Sequence, residues 1–267
     1  AKNIIMPKYF NNDSYKIDRL EKGRIFRAIN GDVNNICESK LTKEIDNYYL
    51  HLSVNVKTQA STKKKYNICA LDPGVRTFQT VYSPEGICAK IGDGHNKLAV
   101  KLHKRIDKYN SELAKDKPER TKYKLKKRID KTYSKLKNQV EELHKKTAKY
   151  LTDNFDNILI PDTNISDMVR SYRRVINKTT VRGLLTLAHY RFRMRLLQLS
   201  KRTRTTVLEV NEAYTSKTCG QCGYIDATLG GKKVFKCDCG YTCDRDIHGA
   251  RNIYIRAINN IWVRTAL

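Results

Sequence analysis

YTSKTCGQCG at 214–223 and FKCDCGYTCDRDIHGARNIYIRA at 235–257 decide how this chain is read. Cys219 and Cys222 form one close pair, Cys237 and Cys239 another, with 14 residues between the pairs. A Cys-x-x-Cys turn brings two thiolates onto one tetrahedral zinc, and a second pair closes the site from a separate knuckle. A redox Cys-x-x-Cys would need no second pair. The second knuckle is one residue short of the usual spacing, which leaves Cys243 as an alternative to Cys237 or Cys239. Asp244, Arg245 and Asp246 follow at once, and from Asp246 the apolar residues fall at helical spacing. The pattern is a structural zinc ribbon over 215–243 joined to a helix that begins with a carboxylate.

Outward from the ribbon, short apolar runs alternate with helical ones. NICALDPG (67–74) reads as a strand ending in Asp72-Pro73-Gly74. VRTFQTVYS (75–83) reads as a second, Ser83-Pro84-Glu85-Gly86 as a turn, and ICAKIG (87–92) as a third. Residues 95–154 form a lysine-laden helical stretch broken at Pro118, a hairpin with arms of about 20 and 35 residues. A strand at 157–160, a helix at 179–199, a strand at 205–210 and a last helix at 246–263 complete the order βββ-α-β-α-β-(ribbon)-α. That order predicts an α/β fold with a mixed sheet, parallel in part. Residues 1–66 hold strand-like runs at 23–29 and 47–56 and end in a basic linker, 61–66. They form a partial β module outside the core, which occupies 67–214 and 244–267.

The 267 residues include 53 Lys+Arg against 27 Asp+Glu, a formal charge of +26. A surplus of that size points to a polyanionic partner, of which nucleic acid is the commonest, although lysine richness also follows from an AT-rich genome. Residues 101–150 alone carry 18 Lys+Arg and 7 Asp+Glu, with Leu125, Ile129, Tyr133, Leu136 and Val140 marking the buried face. The opposite face, with Lys126 and Lys127, is either a solvated surface or a wall that contacts phosphates. Lys217, Arg245 and Arg182 are further candidates for nucleic-acid contact, and so are Arg191, Arg193 and Arg195 unless they only snorkel. Five of the eight cysteines crowd into the ribbon, whereas Cys37, Cys69 and Cys88 are scattered and read as small buried hydrophobes. With no apolar leader or membrane-length run, this usage fits an intracellular, reducing compartment.

Two carboxylates stand where chemistry would need them. Asp72 lies at the carboxyl end of the first core strand, although Asp before Pro-Gly is also ordinary turn chemistry. Asp246 opens the last helix, where an acidic residue can also be a simple N-cap. Taken together they match the RNase H-like arrangement, in which three carboxylates hold two divalent cations about 4 Å apart. All-oxygen ligands suit magnesium, whereas the nearby thiolates select zinc. The third carboxylate is open among Glu212, Asp162 and Glu209, in that order of preference. ILIPDT puts Pro161 at the usual fourth-strand position, and Glu209 alternates onto the other face from Leu208 and Val210. None of the six histidines has metal-ligand spacing. His248 is placed on the helix surface, with an approach to the metal site as the alternative.

LDPGVRTF, YTSKTCGQCG and CDRDIHGARNI, in this order and spacing, resemble the OrfB/TnpB family of transposon-associated proteins over residues 45–265. The resemblance implies an RNase H-like (RuvC) core with a helical-hairpin insertion and a zinc-ribbon insertion. It also implies an RNA-guided DNA endonuclease that works with magnesium, a guide RNA and a DNA target. Glutamate before YTSKTC, with proline on the fourth strand, is most similar to the Fanzor branch of eukaryotes and large viruses. That likeness implies Glu212 as the third ligand beside Asp72 and Asp246, and a nuclear or cytoplasmic site in a host cell. His248 stands where the family commonly has Asn, the second knuckle is compressed, and the N-terminal module is short. The alternatives are a zinc-ribbon nucleic-acid-binding remnant without cleavage activity and a strand-transferring transposase.

Overall fold

The computed structural model describes residues 3–5, 36–44, 47–55, 65–162, 169, 176–228 and 230–265. The chain divides into two units, Ala1–Lys57 and Thr58–Leu267. In the first, strands β1 (Asn3–Ile5), β2 (Ile36–Glu44) and β3 (Asn47–Val54) make an antiparallel sheet in the order β1-β2-β3, with a bulge between Ile36 and Ser39. The strand expected at 23–29 lies outside the described residues.

The second unit is built on β4 (Tyr66–Pro73), β5 (Gln79–Ser83), β6 (Ile87–Ile91), β7 (Phe155–Pro161) and β8 (Thr206–Val210), ordered β6-β5-β4-β7-β8. The meander β4-β5-β6 is antiparallel, while β4-β7 and β7-β8 are parallel, as the alternation of strands and helices implies. Helices α1 (His95–Leu113) and α2 (Glu119–Asn154) form the hairpin between β6 and β7, with Pro118 extended at the start of α2. Proline there loses no helical hydrogen bond, because the first amides of a helix are unpartnered anyway.

Strand alternation sends the side chains of the sheet into two layers. Cys69 and Leu71 of β4, Val81 of β5, and Ile158 and Ile160 of β7 pack on Ala148 and Leu151 of α2 and on Phe192 and Leu196. Ala70 and Leu159 face the other way, onto Ile253 and Ala257 of the last helix, α5 (Arg245–Thr265), with Val210 and Tyr254 at the rim. The result is a three-layer α/β/α core, the mixed-sheet architecture expected of an RNase H-like fold. Among the described residues no helix is long and apolar enough to cross a membrane.

The helix expected over 179–199 is broken in two, α3 (Lys178–Leu187) and α4 (His189–Thr203), at Ala188 in the left-handed region (φ 48°). An L-residue there costs about 1–2 kcal/mol. The break lets Leu187, His189 and Phe192 all turn inward, and their burial offsets the strain. No glycine or proline marks the spot, so the sequence carries no stop signal. Of the scattered cysteines, Cys69 is fully buried but Cys88, on the edge strand β6, is exposed. An edge strand covers only one face, so its outward positions stay in water.

Phe78, completely buried, is the aromatic centre of the core. His144 and His189 stack on it at 5.2 and 5.1 Å and Phe192 meets it edge-on at 5.0 Å. Phe78→Ala should lower the unfolding free energy by about 3–5 kcal/mol, read from urea denaturation followed by circular dichroism.

Candidate active site and zinc ribbon

Asp72 sits two residues after Ala70 on β4 and therefore on the α5 side of the sheet. Gly249 lies over it: a Cβ on that residue would stand 2.5 Å from Asp72 Oδ2. The glycine lets the helix come down onto the carboxylate, a requirement the sequence reading did not identify. Asp246 is three residues earlier, on the same helical face as Ala250, Ile253 and Ala257. It is not the helix cap. Asp244 Oδ1 accepts from the amides of Asp246 (3.0 Å) and Ile247 (3.3 Å), which leaves the Asp246 carboxylate directed elsewhere.

The parallel register Ala70↔Leu159, carried on two residues, sets Pro161 beside Asp72, and Pro161 itself pairs with Val210. Proline thus occupies the strand position from which a carboxylate would reach Asp72. Glu212, two residues past the end of β8, is close enough for its charge to act on Asp72. Burial pushes the Asp72 carboxyl up to about 7, assisted by the charges of Glu212 and Asp246 and opposed by Arg245. Asp162 is exposed and does not contribute to that repulsion. Glu209 points to the opposite face and meets Arg193 of α4 at 3.6 Å. Of the three candidates for the third carboxylate, it is Glu212 whose charge acts on Asp72; among the described residues the four cysteines, and not these carboxylates, meet within 4.8 Å of one another.

The ribbon is small and tightly turned. Strands β9 (Val234–Lys236) and β10 (Thr242–Asp244) pair antiparallel, and each knuckle closes on a glycine with positive φ, Gly223 (79°) and Gly240 (87°). The amide of Gly223 donates to Cys219 O and that of Gly240 to Cys237 O, both at 3.0 Å. Among the described residues, Cys219, Cys222, Cys237 and Cys239 converge, with their sulfurs all within 4.8 Å of one another. Cys219 and Cys239 are 3.7 Å apart, Cys222 and Cys237 3.6 Å. Four thiolates at 2.3 Å from a tetrahedral zinc are separated by about 3.8 Å, so the cage fits that ion. Cys243 lies outside the cage, paired with Phe235 across the hairpin, so the short second knuckle closes without it.

Side chains of α5 clamp the ribbon's entry. Asn252 Nδ2 donates to Thr215 O (2.7 Å) and Thr218 O (2.6 Å), Arg251 to Gly220 O (3.1 Å) and Arg256 to Ala213 O (2.5 Å). His248 is not a surface residue, and its contacts are with the ribbon and with its own helix. It is fully buried, stacked on Phe235 at 4.0 Å and bonded to Asn252. The sequence signal for this clamp was the run GARN in the last helix, whose polar residues recur on the ribbon side.

The basic candidates fare differently. Lys217, Lys126 and Lys127 are exposed, with Lys127 over the Tyr123 ring at 5.1 Å. Arg182 makes a bidentate pair with Asp107 of α1 (2.7 and 2.9 Å), so its fork is engaged within the protein. Arg245 donates to Gly230 O (2.5 Å) and Lys232 O (3.3 Å), which fixes its charge near Asp72. Lys90 of β6 meets Asp244 at 2.8 Å and Asp246 at 3.6 Å, a contact the sequence did not point to.

Opposite pH effects follow from these environments. Burial holds the His189 imidazole down at about 4, with His144 assisting and the Gly74 carbonyl opposing. Burial also lowers His95, His103, His144 and His248. The His189 contribution is complete above the ordinary value of 6.5 and is lost as pH falls toward 4, and the other four act in the same direction. Asp72 does the reverse: its cost to folding is full above about 7 and is relieved as pH falls toward 3.8, on the order of 4 kcal/mol in all. In magnesium-free buffer, Asp72→Asn should therefore raise stability at pH 7.5 and steepen the loss between pH 7 and 5. His189→Gln should flatten that loss, and urea titrations at both pH values read the two effects.

Comparisons with known proteins bear on the whole second unit. The family model of a probable transposase, OrfB of the IS605 type, matches residues 51–172, and that of the Cas12f1-like TNB domain matches 189–253. A TnpB-like protein of Acanthamoeba polyphaga mimivirus is 32% identical over 263 residues, covering 94% of this chain and 48% of the relative. A putative transposase of Paramecium bursaria Chlorella virus 1 is 32% identical over 218 residues, 82% of this chain and 48% of the relative. The chain spans about half the length of these curated relatives. Among solved structures, a Cas12f1 complex with guide RNA and target DNA superposes with a TM-score of 0.56 at 16% identity. It covers 91% of this chain and 49% of that one, and shares its fold. The chain belongs to the TnpB-like family of RuvC-fold, transposase-related proteins.

Proposed function

We propose that this chain is the nuclease core of an RNA-guided, metal-dependent DNA endonuclease of the TnpB/Fanzor type, carried by a transposable element. The observation that supports it most is the Asp72 carboxyl at the rim of the sheet, held up at about 7 by burial, with the charges of Glu212 and Asp246 adding to the effect. Three repelling carboxylates with Asp72 at the base are unfavourable alone and suit hard divalent cations such as magnesium. When bound, two such ions supply an activated water and stabilise the leaving oxygen of a phosphodiester. The three carboxylates would hold the ions, and Arg245, bonded to the carbonyls of Gly230 and Lys232, contributes a positive charge near Asp72. Lys217, Lys126 and Lys127 are exposed and would meet phosphates, whereas Arg182 is committed to Asp107 and drops from that set. Sequence choice would reside in the pairing of a guide RNA with its DNA target. Zinc serves as scaffold, and the protein works inside a host cell, in nucleus or cytoplasm.

The second reading is a zinc-ribbon nucleic-acid-binding remnant, favoured by Pro161 at the strand position from which a carboxylate would reach Asp72. One experiment separates the two. The chain is purified with its bound RNA, that RNA is sequenced, and matched DNA is offered with magnesium. Cutting that disappears in Asp72→Ala is expected, whereas binding without cutting in both proteins supports the remnant. Glu212→Gln should abolish cutting and Asp162→Asn should leave it; the reverse result transfers the third ligand to Asp162. A zinc chelator should release the ion, lower the melting temperature and reduce cutting that added magnesium does not restore.

A further inference from the structure

Lys90 is the one cation among the described residues that ion-pairs with Asp246, and its position is unlike that of Arg245. The Arg245 guanidinium is bound to two backbone carbonyls and has little freedom to leave them. Among the described residues the Lys90 ammonium is held by two carboxylates, Asp244 at 2.8 Å and Asp246 at 3.6 Å, at the end of a four-carbon stem. It comes from β6, the edge strand of the sheet, where its side chain and its two partners each remain about one-third exposed. Asp244 is meanwhile fixed by capping α5 through its other oxygen, so one end of the Lys90 contact is anchored while the Asp246 end can open.

We propose that Lys90 is a tethered counter-ion that occupies the cation's place on Asp246 while the site is metal-free, and that it turns to a phosphate of the incoming strand when the metal binds. This rests on the carboxylate site described above. A divalent ion bound by Asp246 and an ammonium 3.6 Å from the same carboxylate repel each other, so each disfavours the other. A nucleic-acid phosphate arriving at the rim gives the ammonium an alternative anion, while the anchor on Asp244 keeps it within reach. Metal and strand would then bind with positive coupling, each easing the entry of the other. The geometry makes Lys90 a positioning residue: it acts on the metal through Asp246 and is not itself a metal ligand.

The test measures manganese binding to the purified chain by the electron paramagnetic resonance of the free ion, with and without a short phosphorothioate single strand of DNA that resists cutting. Wild type should bind manganese weakly alone and about tenfold more tightly with the strand present. Lys90→Met should bind about tenfold more tightly alone and gain less than twofold from the strand, a shift of the size expected for removing one nearby charge. Lys90→Arg, which keeps the charge, should stay within twofold of wild type without the strand. If Lys90→Met melts too low to assay, Lys90→Gln takes its place. Equal affinity in wild type and in the neutral variants overturns the proposal, and so does coupling to the strand that persists without the lysine. Failure of the underlying site reads differently: wild type and Asp246→Asn would then bind manganese alike, and both readings fall together.

Discussion

The approach of α5 to β4 at Gly249 governs the geometry of everything around it. A side chain on that residue would enter the space of the Asp72 carboxylate, so the helix can sit at this depth only because glycine is there. From that contact the face of α5 follows. Ala250, Ile253 and Ala257 lie on the sheet, Asp246 is carried to the same rim as Asp72, and His248, Arg251 and Asn252 are left to face the ribbon. One helix therefore closes the core, delivers a carboxylate and docks a metal-knuckle module. Shifting it would move all three at once.

Its ribbon-facing side shows how a module with almost no core of its own is kept in place. The ribbon buries little beyond Cys219 and Phe235, with Cys237 and Tyr241 beside them. Four converging cysteines, a set that fits a metal ion, and a handful of bonds from α5 stand in for the apolar area that such a small element cannot bury. The stacking of His248 on Phe235 extends that small core into the helix. The histidine thus has a packing reason, and burial favours its neutral form.

Much of this was legible in the chain. The cysteine pairs marked the knuckles, apolar runs and turn residues placed β4 to β8, and Pro118 marked the hairpin, because each is a local rule written in local residues. The break at Ala188 was not legible, since burial of Leu187, His189 and Phe192 drives it and no nearby residue announces it. Asp72 and Asp246 were singled out by position, but Asp246 was confounded with a cap until Asp244 was seen to fill that role. Glu209 and Glu212 could be ranked by strand alternation alone. Gly249, Lys90 and the engagement of Arg182 by Asp107 depend on residues distant in sequence and needed the fold.

Pro161 beside Asp72 has a consequence for how the family can vary. A carboxylate on β7 would sit in the middle of the sheet, and the ribbon could lengthen, shorten or be exchanged without disturbing it. Here the acidic residue beyond α5 whose charge acts on Asp72 is Glu212, on the very segment that runs into the first knuckle and is clamped by Arg256 and Asn252. Ribbon and carboxylate cluster are then no longer independent parts. Transplanting a foreign ribbon into this core, a natural step in engineering compact nucleases, would have to preserve residues 211–220 as a hinge belonging to the recipient rather than to the donor.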